Sequence, residues 1–351
     1  MAEDGGASVS RSAKGPITGE APSDLRLSVV IPTRDRRGQL SEVLAPLLTD
    51  PGASEVVVVD DGSQDGTAEL VEELAAVHPH LRLVRGSGGG KGVASQAGLE
   101  AATGDVLLFL DDDVVPDPGL ALGHLRHHLE RPGLVVVGYM PVREEALRAG
   151  LGPALVYSQD YERICRRAER SPHRILEDLW GGNVSMRRDD LLRVGLRSAQ
   201  FDSRWRHIDR ELGLRCLDAG LIGVFDRALR ATHHYERDLG AMLDEAQWTA
   251  LGRIHLHEAH AERLGPLRWR DWFTDLTLLR ALLVRAGSTR LGHPLVRGAL
   301  VLACRVAGRT GRVADEIVLT RLLRRTEQAF HARRLLSGGD GPGGRRRDRG
   351  A

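Results

Sequence analysis

The sequence predicts an α/β fold: a Rossmann-like, mostly parallel sheet flanked by helices, followed by a C-terminal helical extension. Short apolar runs rich in valine alternate with helix-like segments over the first two thirds of the chain. Strands that are apolar on both faces are typical of parallel sheets covered by helices. Strand patterns stop after about residue 240, where leucine, alanine and arginine recur at helical spacing.

The elements follow one another in a regular order. Each apolar run is short enough for a strand and is bounded by turn residues, and each intervening segment carries spaced leucines or alanines. Strands are predicted at 27–31, 55–59, 81–84, 106–110 and 134–137. Helices are predicted at 38–48, 67–77 and 119–130, with a further helix that follows the glycine-rich segment and ends at 102.

The domain organisation follows from shifts in composition. Both ends are rich in glycine and small or charged residues, which is typical of disorder. We expect a disordered tail over 1–24, an α/β domain over 25–239, a helical extension over 240–336, and a disordered basic tail over 337–351.

Composition limits the class of protein. The 351 residues are 42% hydrophobic, enough for a substantial core, and the net charge of +1 argues against a nucleic-acid partner. The three cysteines form no CxxC pair, so neither a disulfide framework nor a zinc site is expected. The N-terminal residues lack an apolar signal segment, and no run reaches the ~18 apolar residues of a membrane span. We therefore expect a cytoplasmic protein.

The strongest functional signal is the end of the fourth predicted strand, where Asp111, Asp112 and Asp113 follow a run of apolar residues. Adjacent charges are unfavourable inside a sheet, so these side chains are expected at the strand tip. Clustered carboxylates repel one another unless a cation lies between them, and Mg²⁺ or Mn²⁺ prefers one or two carboxylates plus substrate phosphates. A solvated acidic loop is the alternative.

Other polar groups follow other strands. Pro32, Thr33 and Asp35 follow the first strand, and Asp60 and Asp61 follow the second. Because ligands bind at the carboxyl ends of parallel strands, we expect these groups to converge on one crevice.

A glycine-rich segment precedes Lys91. It fails the phosphate-loop pattern, because Arg85 occupies the place of the first glycine and Gly92 that of the serine or threonine. It is either a flexible linker or a mobile loop that places Lys91 near a phosphate.

Five motifs, in order, resemble those of the family 2 glycosyltransferases, which have the GT-A fold. The matching segments are LSVVIPTRDR (27–36), VVVDDGSQDGT (57–67), GDVLLFLDDD (104–113), WGGNVSMRR (180–188) and IDRELGLR (208–215). The resemblance implies a metal-dependent, inverting transfer of a sugar from a nucleotide sugar, most readily a UDP-sugar, to an acceptor hydroxyl. The acceptor could be a glycan, a lipid-linked molecule or a small molecule.

The resemblance also implies roles for individual residues. Asp209 matches the general base, although Ile208 replaces the glutamate that usually precedes it, and Glu211 could assist. The nucleotide would lie against Pro32, Thr33, Asp35, Asp60, Asp61, Lys91 and Asp112. Mn²⁺ or Mg²⁺ would be held by Asp111 and Asp113, completed by His233 or His234. The usual alanine-arginine-asparagine run before the fourth strand is replaced here by Ala94-Ser95-Gln96.

For several of these residues a structural role is also open. Asp209 suits the first turn of a helix, where the helix dipole favours a carboxylate. The segment Trp180, Gly181, Gly182 and Asn183 could contact the sugar, with the two glycines allowing close approach, or could form a tight turn. Nucleotidyl transfer and catalytically silent nucleotide-sugar binding are the competing functions.

The helical extension contains an aromatic and leucine stripe. Its members are Trp269, Trp272, Phe273, Leu276, Leu279 and Leu283, flanked by arginines. We expect this stripe to pack against the catalytic domain. The alternative is peripheral contact with the inner face of a membrane.

Overall fold

The computed structural model describes residues 25–148, 152–198 and 206–336. Both predicted tails lie outside the described residues. In the described part the strands are β1 (Leu27–Thr33), β2 (Glu55–Asp60), β3 (Leu81–Arg85), β4 (Val106–Leu110), β5 (Val114–Pro116), β6 (Leu134–Tyr139), β7 (Asn183–Arg187) and β8 (Ile222–His233).

The helices match the predicted alternation in the first half of the chain. Two short 3-10 helices, Pro172–Asp178 and Trp269–Trp272, accompany them. The α-helices of the described residues are α1 (Arg37–Leu47), α2 (Thr67–Ala75), α3 (Lys91–Ala101), α4 (Leu120–Glu130), α5 (Glu144–Arg148), α6 (Gly152–Arg170), α7 (Arg188–Val194), α8 (Ile208–Asp218), α9 (Leu239–Ala259), α10 (Ala261–Leu264), α11 (Leu278–Gly287), α12 (Gly292–Arg309) and α13 (Val313–Leu336).

One sheet of eight strands, in the order β3-β2-β1-β4-β7-β6-β8-β5, organises the α/β part. The first four strands in this order are mutually parallel, and β6 pairs parallel with β8. β7 runs antiparallel between β4 and β6, and β5 runs antiparallel to β8. The predicted α/β class is confirmed, with antiparallel pairings that the sequence did not indicate.

The sheet is buried on both faces by helices. Alternate residues along a strand point to opposite faces, so Val29 and Ile31 pack with α1 and α4, whereas Val30 packs with α3. The second face is also covered by Leu191 of α7 and Leu212 of α8. This double covering explains why the strands are apolar without alternation.

The helical extension has a separate hydrophobic core. Trp272 is fully buried there, and its neighbours come from α9, α11, α12 and α13. The extension contacts the α/β part chiefly through α6, which packs against α13 and α9. No helix among the described residues is long and apolar enough to cross a membrane.

The predicted aromatic and leucine stripe divides into two groups. Trp269, Trp272, Phe273 and Leu276 pack into the core of the extension, while Leu279 is 78% exposed and Leu283 is at the surface. The helix that carries the two leucines, α11, packs against α12 and α13. The stripe therefore packs against the extension itself rather than against the sheet domain, and part of it faces solvent.

Candidate active site

The polar groups predicted at strand tips meet at one edge of the sheet. Thr33 at the end of β1 lies opposite Asp60 at the end of β2, because the two strands are parallel and in register. Both side chains are buried. β4 neighbours β1 on its other side, so Asp111 follows at the same edge. This convergence is what the sequence predicted.

Lys91 opposes the carboxylates of this edge. Its Nζ lies 2.5 Å from Oδ1 of Asp111 at the first turn of α3. Burial alone would lower the pKa of Lys91, but Asp111, Asp209 and Asp113 raise it above its ordinary value. The ammonium is therefore firmly charged and lies in the field of three carboxylates.

Asp209 faces the same ammonium from the first turn of α8. Burial raises the pKa of the Asp209 carboxyl, and the negative charge of Asp111 raises it further, while Lys91 opposes the rise. A raised carboxyl pKa is what proton abstraction near neutral pH requires. Asp209 also has the helix N-terminal position that the structural alternative expected, so both features hold for one residue.

The glycine pair separates Asp111 from Asp209. A Cβ atom on Gly181 would lie 2.5 Å from Oδ1 of Asp209, and one on Gly182 would lie 2.8 Å from Oδ2 of Asp111. The carbonyl oxygen of Gly182 accepts a hydrogen bond from the Asp111 backbone N–H at 3.1 Å. A side chain at either position would displace one of the two carboxylates, which is the physical reason for two glycines here.

Asp112 and Asp113 share one arginine. Nε of Arg36 lies 3.8 Å from Asp112, and Nη2 lies 3.8 Å from Asp113. Burial, with the charge of Asp113 adding to it, raises the pKa of Asp112 to about 6. Burial alone would also raise the pKa of Asp113, but His233, Lys91 and Arg36 bring it below its ordinary value. The two neighbouring carboxyls are thus tuned in opposite directions.

The two candidate histidines face different partners. Nε2 of His233 lies 3.7 Å from Oδ1 of Asp113, whereas Nε2 of His234 lies 3.8 Å from Glu42. The His233 ring packs edge-on against Tyr157, and its buried Nδ1 has no hydrogen-bond partner. Of the two, His233 is the one beside the aspartate cluster.

Asp61 fixes the glycine-rich loop that leads to Lys91. Its two oxygens accept backbone N–H groups of Gly88 at 2.9 Å and Gly90 at 2.6 Å. Both oxygens of Asp61 are therefore engaged by the loop. Asp60, by contrast, accepts only the Ser63 N–H on one oxygen, with Arg85 at 3.9 Å from the other. Asp60 is the better placed of the pair to meet a nucleotide base.

Asp35 connects the loops after β1 and β2. Its N–H donates to the Ser63 hydroxyl at 2.9 Å, and its Oδ1 accepts the Gln64 N–H at 2.7 Å. The residue has a positive φ of 53° and a half-exposed side chain. It shapes the rim on which a nucleotide would rest.

Three residues expected near the sugar or acceptor have other partners. The Trp180 ring packs edge-on against Tyr161 at 4.8 Å. Asn183 is fully buried and donates to the Leu229 carbonyl oxygen at 3.0 Å. Both oxygens of Glu211 accept from Arg215, and only 3% of its side chain is exposed. Packing and buried hydrogen bonds surround these three side chains, and their contact with a sugar or acceptor stays a prediction.

Sequence reasoning missed three arginines near the site. Arg36 bridges two of the aspartates, and Arg206 and Arg237 both bind Glu245. The negative charges of Asp209 and Asp111 act to raise the pKa of Arg206, and the charge of Asp113 acts to raise the pKa of Arg237. Only Arg36 carried a signal, since it ends the first of the five motifs. The other two depend on how α9 packs.

A small cavity of about 50 Å³ lies between these groups. Its polar wall is formed by Lys91, Asp111 and Asp209, and apolar side chains such as Phe109 and Leu212 form the remainder. The carboxylate bound to Lys91 and the candidate base therefore border the same space.

The residues present suit a hard divalent cation. Among the described residues, no group of three or more histidine, cysteine or acidic side chains is arranged so that it could hold a metal ion by itself. Mg²⁺ and Mn²⁺, however, need only one or two carboxylates when substrate phosphates supply the other ligands. Asp111 and Asp113 provide these, and the neighbouring imidazole of His233 suits Mn²⁺. The donor set therefore fits.

Comparison with known proteins gives the family. Residues 28–195 match the family model described as Glycosyl transferase family 2. The uncharacterized glycosyltransferase YibD of Escherichia coli is 34% identical over 94 residues, which cover 26% of this chain and 27% of YibD. An undecaprenyl-phosphate 4-deoxy-4-formamido-L-arabinose transferase of Pseudomonas fluorescens is 35% identical over 100 residues, covering 26% of this chain and 29% of the relative. The chain thus spans less than a third of the length of either relative.

The fold has a counterpart over nearly the whole chain. The mannosyltransferase PcManGT from Pyrobaculum calidifontis, solved with GDP-Man and Mn²⁺, superposes with a TM-score of 0.57 at 20% identity. The match covers 93% of this chain and 92% of that one, so it includes the helical extension. The five motifs, the family match and the architecture agree. Residues 28–195 are therefore similar to glycosyltransferase family 2, and the chain has the GT-A fold.

Proposed function

We propose that this chain transfers a sugar from a nucleoside-diphosphate sugar, a UDP-sugar in the first instance, to an acceptor hydroxyl with inversion at the anomeric carbon. One observation carries the proposal: Asp209 and Asp111 border one cavity, separated by the glycine pair, with the Lys91 ammonium between them. A carboxylate that could serve as the base and a cation that could bind a phosphate thus border one cavity, an arrangement that suits displacement at a sugar carbon.

The nucleotide is proposed to lie over the tips of β1 and β2. Asp60 would accept the imide N–H of uracil, with Thr33 and Asp35 bordering the nucleoside. Lys91 would turn from Asp111 to the departing diphosphate, where its charge opposes the negative charge that develops on the leaving oxygen. The loop held by Asp61 positions that ammonium.

Asp111 and Asp113, with His233 beside them, are the proposed holders of Mn²⁺ or Mg²⁺. A divalent ion in this place supplies Lewis-acid stabilisation of the diphosphate leaving group. On the opposite side Asp209 would take the proton of the attacking hydroxyl, so that attack and departure occur on opposite faces of the sugar. For the acceptor we propose only a molecule with a hydroxyl group that can approach Asp209. We place the enzyme in the cytoplasm.

Asp209→Asn is the direct test of the base. The variant should bind the donor as the parent chain does, because the diphosphate side is untouched, yet transfer should fall about 10²–10⁴-fold. Turnover would be followed as nucleotide release in the presence of acceptor. Asp218→Asn is the matched control, since Asp218 lies on the same helix and pairs with Arg263. Turnover within a few-fold of the parent chain in Asp209→Asn would reduce Asp209 to a helix-terminal carboxylate.

Asp113→Asn tests the metal assignment separately. We expect it to abolish the Mn²⁺-dependent part of UDP binding while the thermal unfolding midpoint stays close to that of the parent chain, because a strand-tip charge contributes little to the core. Calorimetry of UDP with and without Mn²⁺ gives the answer. Equal affinity in both proteins would remove Asp113 from the metal site. A thermal-shift panel of nucleotide sugars would then identify the donor.

A further inference from the structure

Among the described residues, nothing covers one apolar face of the extension. On α11, Leu278 and Leu279 are 77% and 78% exposed; Leu291, which immediately precedes α12, is 87% exposed, and Leu295 on α12 is 76% exposed. Leu302 continues this face. We call the set formed by Leu278, Leu279, Leu282, Leu291, Leu295, Leu302 and Val306 the leucine face. Single exposed leucines are ordinary, but here several lie on two helices that pack against each other, and such a concentration of exposed apolar side chains marks a contact surface.

The spacing on α12 shows that this face is organised. Leu291, Leu295, Leu302 and Val306 follow one another at intervals of four, seven and four residues, so they share one side of the helix. Leu300 and Cys304, on the other side, are buried in the core of the extension. The helix is therefore apolar on two sides, and of these only the side with Leu300 and Cys304 packs against the part of the chain that the structure describes.

Basic residues surround the leucine face, and acidic residues are missing. From Leu276 to Ala314 the sequence contains no aspartate or glutamate. Over the same segment it contains seven arginines: Arg280, Arg285, Arg290, Arg297, Arg305, Arg309 and Arg312.

Most of these arginines are free of carboxylates. Arg297 pairs with Glu327 and Arg312 with Asp315. In contrast, Arg285, Arg305 and Arg309 are exposed, and no described carboxylate lies within ion-pair distance of them. Exposed leucines together with unpaired guanidinium groups form a surface that is apolar and cationic at once.

The charge decides between two occupants. A second copy of the chain docked symmetrically would place like-charged arginine sets against each other. An anionic bilayer accepts both features, because leucines enter the boundary between headgroups and acyl chains while arginines meet lipid phosphates. We propose that the α11–α12 leucine face docks this glycosyltransferase domain onto an anionic phospholipid surface, independently of nucleotide binding.

Vesicle pelleting tests the proposal with the full chain. The protein should pellet with vesicles of phosphatidylcholine and phosphatidylglycerol, should pellet weakly with phosphatidylcholine alone, and should be released by salt. Leu279→Glu and Leu295→Glu should each lower the partition coefficient about tenfold or more. Each removes a leucine that would enter the bilayer and adds a negative charge that the anionic lipids repel. Leu192→Glu, which changes an exposed leucine on α7, should leave it unchanged.

A second pair of variants isolates the charge. Arg305→Glu with Arg309→Glu should weaken binding at least about tenfold, since each arginine near an anionic surface accounts for roughly fivefold. Arg131→Glu with Arg170→Glu makes the same charge change at exposed positions outside the face and should have little effect. All variants alter exposed side chains, so circular dichroism should show the parent fold.

Three outcomes would overturn the proposal. One is a chain that stays in solution with anionic vesicles. Another is pelleting that is equal in the leucine variants and in Leu192→Glu. The third is a concentration-dependent dimer, seen by light scattering, that Leu295→Glu dissociates, because the face would then be an interface between copies. None of these depends on sugar transfer, so failure here leaves the proposed catalytic function standing.

Discussion

The charges at Lys91 and Asp209 depend on each other and on burial. Three carboxylates stabilise the charged ammonium of Lys91 and raise its pKa. Burial and the charge of Asp111 disfavour the ionised carboxylate of Asp209 and raise its pKa. When Lys91 engages a diphosphate, its opposition to the rise of the Asp209 pKa weakens. Under the proposed function, donor binding would therefore raise the pKa of Asp209 and make it a stronger base, so that Lys91 would couple donor binding to proton abstraction.

A second group of titratable residues lies beneath the site and has a structural role. His124 Nε2 lies 2.9 Å from the Asn183 side-chain oxygen, and its Nδ1 lies 2.8 Å from the Ser185 hydroxyl. His128 Nε2 approaches the same hydroxyl at 2.8 Å. With both rings neutral, every one of these contacts has one donor and one acceptor. Burial lowers the pKa of each histidine to about 3.

These two histidines predict acid sensitivity. Their pKa values are depressed in the folded state, so the unfolded chain binds protons that the folded chain does not. Stability is then fully present above about pH 6.5 and is lost as the pH falls toward 3, with a slope approaching ~1.4 kcal/mol per pH unit for each histidine. Urea unfolding at a series of pH values measures this slope. His128→Asn should reduce it, and an unchanged slope would place the acid sensitivity elsewhere.

At the scale of elements, the loop between Leu179 and β7 determines the site. It brings two glycines between Asp111 and Asp209, and it begins β7 with a buried asparagine. The sequence identified this loop through its glycines but did not indicate that Trp180 packs against Tyr161 or that Asn183 binds the Leu229 carbonyl oxygen. Whether a side chain faces the cleft or the core depends on neighbouring elements, here α6, which carries Tyr161 against the Trp180 ring.

The loop geometry makes a prediction for Gly181. Gly181→Ala places a methyl group 2.5 Å from the Asp209 carboxylate oxygen, so that carboxylate must move. We expect kcat to fall at least about tenfold, with little change in UDP binding, because a displacement of about 1 Å near the reacting atoms is costly. Steady-state kinetics and calorimetry measure the two quantities. Gly38→Ala, where a methyl group meets nothing within 4 Å, is the control. An unaltered kcat in Gly181→Ala would show that the loop, rather than the Asp209 carboxylate, moves to make room for the methyl group.

Two strands that the sequence failed to predict, β7 and β8, share a cause. β7 carries Asn183 and Ser185 inward, toward the buried histidines, so its pattern does not read as a buried strand. β8 carries Asp226, Arg227 and Arg230 near the end of the sheet, where they pair with groups on other elements. Polar residues with tertiary partners erase the apolar run on which strand prediction rests.

At the scale of the whole molecule, topology explains what the sequence could predict. Carboxyl ends of parallel strands meet at one edge, so Thr33, Asp60 and Asp111 could be grouped from their positions in the sequence alone. Arg206 and Arg237 could not be grouped with them in this way, because Glu245 of α9, an element of the extension, binds and positions both arginines. The predicted boundary at residue 239 therefore separates two parts of the chain that are joined by direct side-chain contacts.

The junction between α6 and α13 shows how the extension is held. Asp160 on α6 accepts from Arg321 at 2.8 Å and from Arg324 at 2.6 Å, both on α13. The side chains are about a quarter to a third exposed, so water screens the pairs only in part. The arginines in turn lower the pKa of Asp160, although burial alone would raise it. One carboxylate thus joins the two parts of the molecule.

Asp160→Ala should loosen that junction. Two arginines would lose their common partner, and hydrogen bonds to charged groups are worth about 1.5–3 kcal/mol each in favourable settings, so we expect a loss of roughly 1–3 kcal/mol in the free energy of unfolding. Because the extension also carries Glu245, the partner of Arg206 and Arg237, transfer should weaken as well. Denaturant unfolding and kinetics measure both effects. Asp315→Ala, which breaks an exposed pair with Arg312, should change stability by less than about 1 kcal/mol. Equal stability losses in the two variants would mean that the extension is held by its apolar contacts alone.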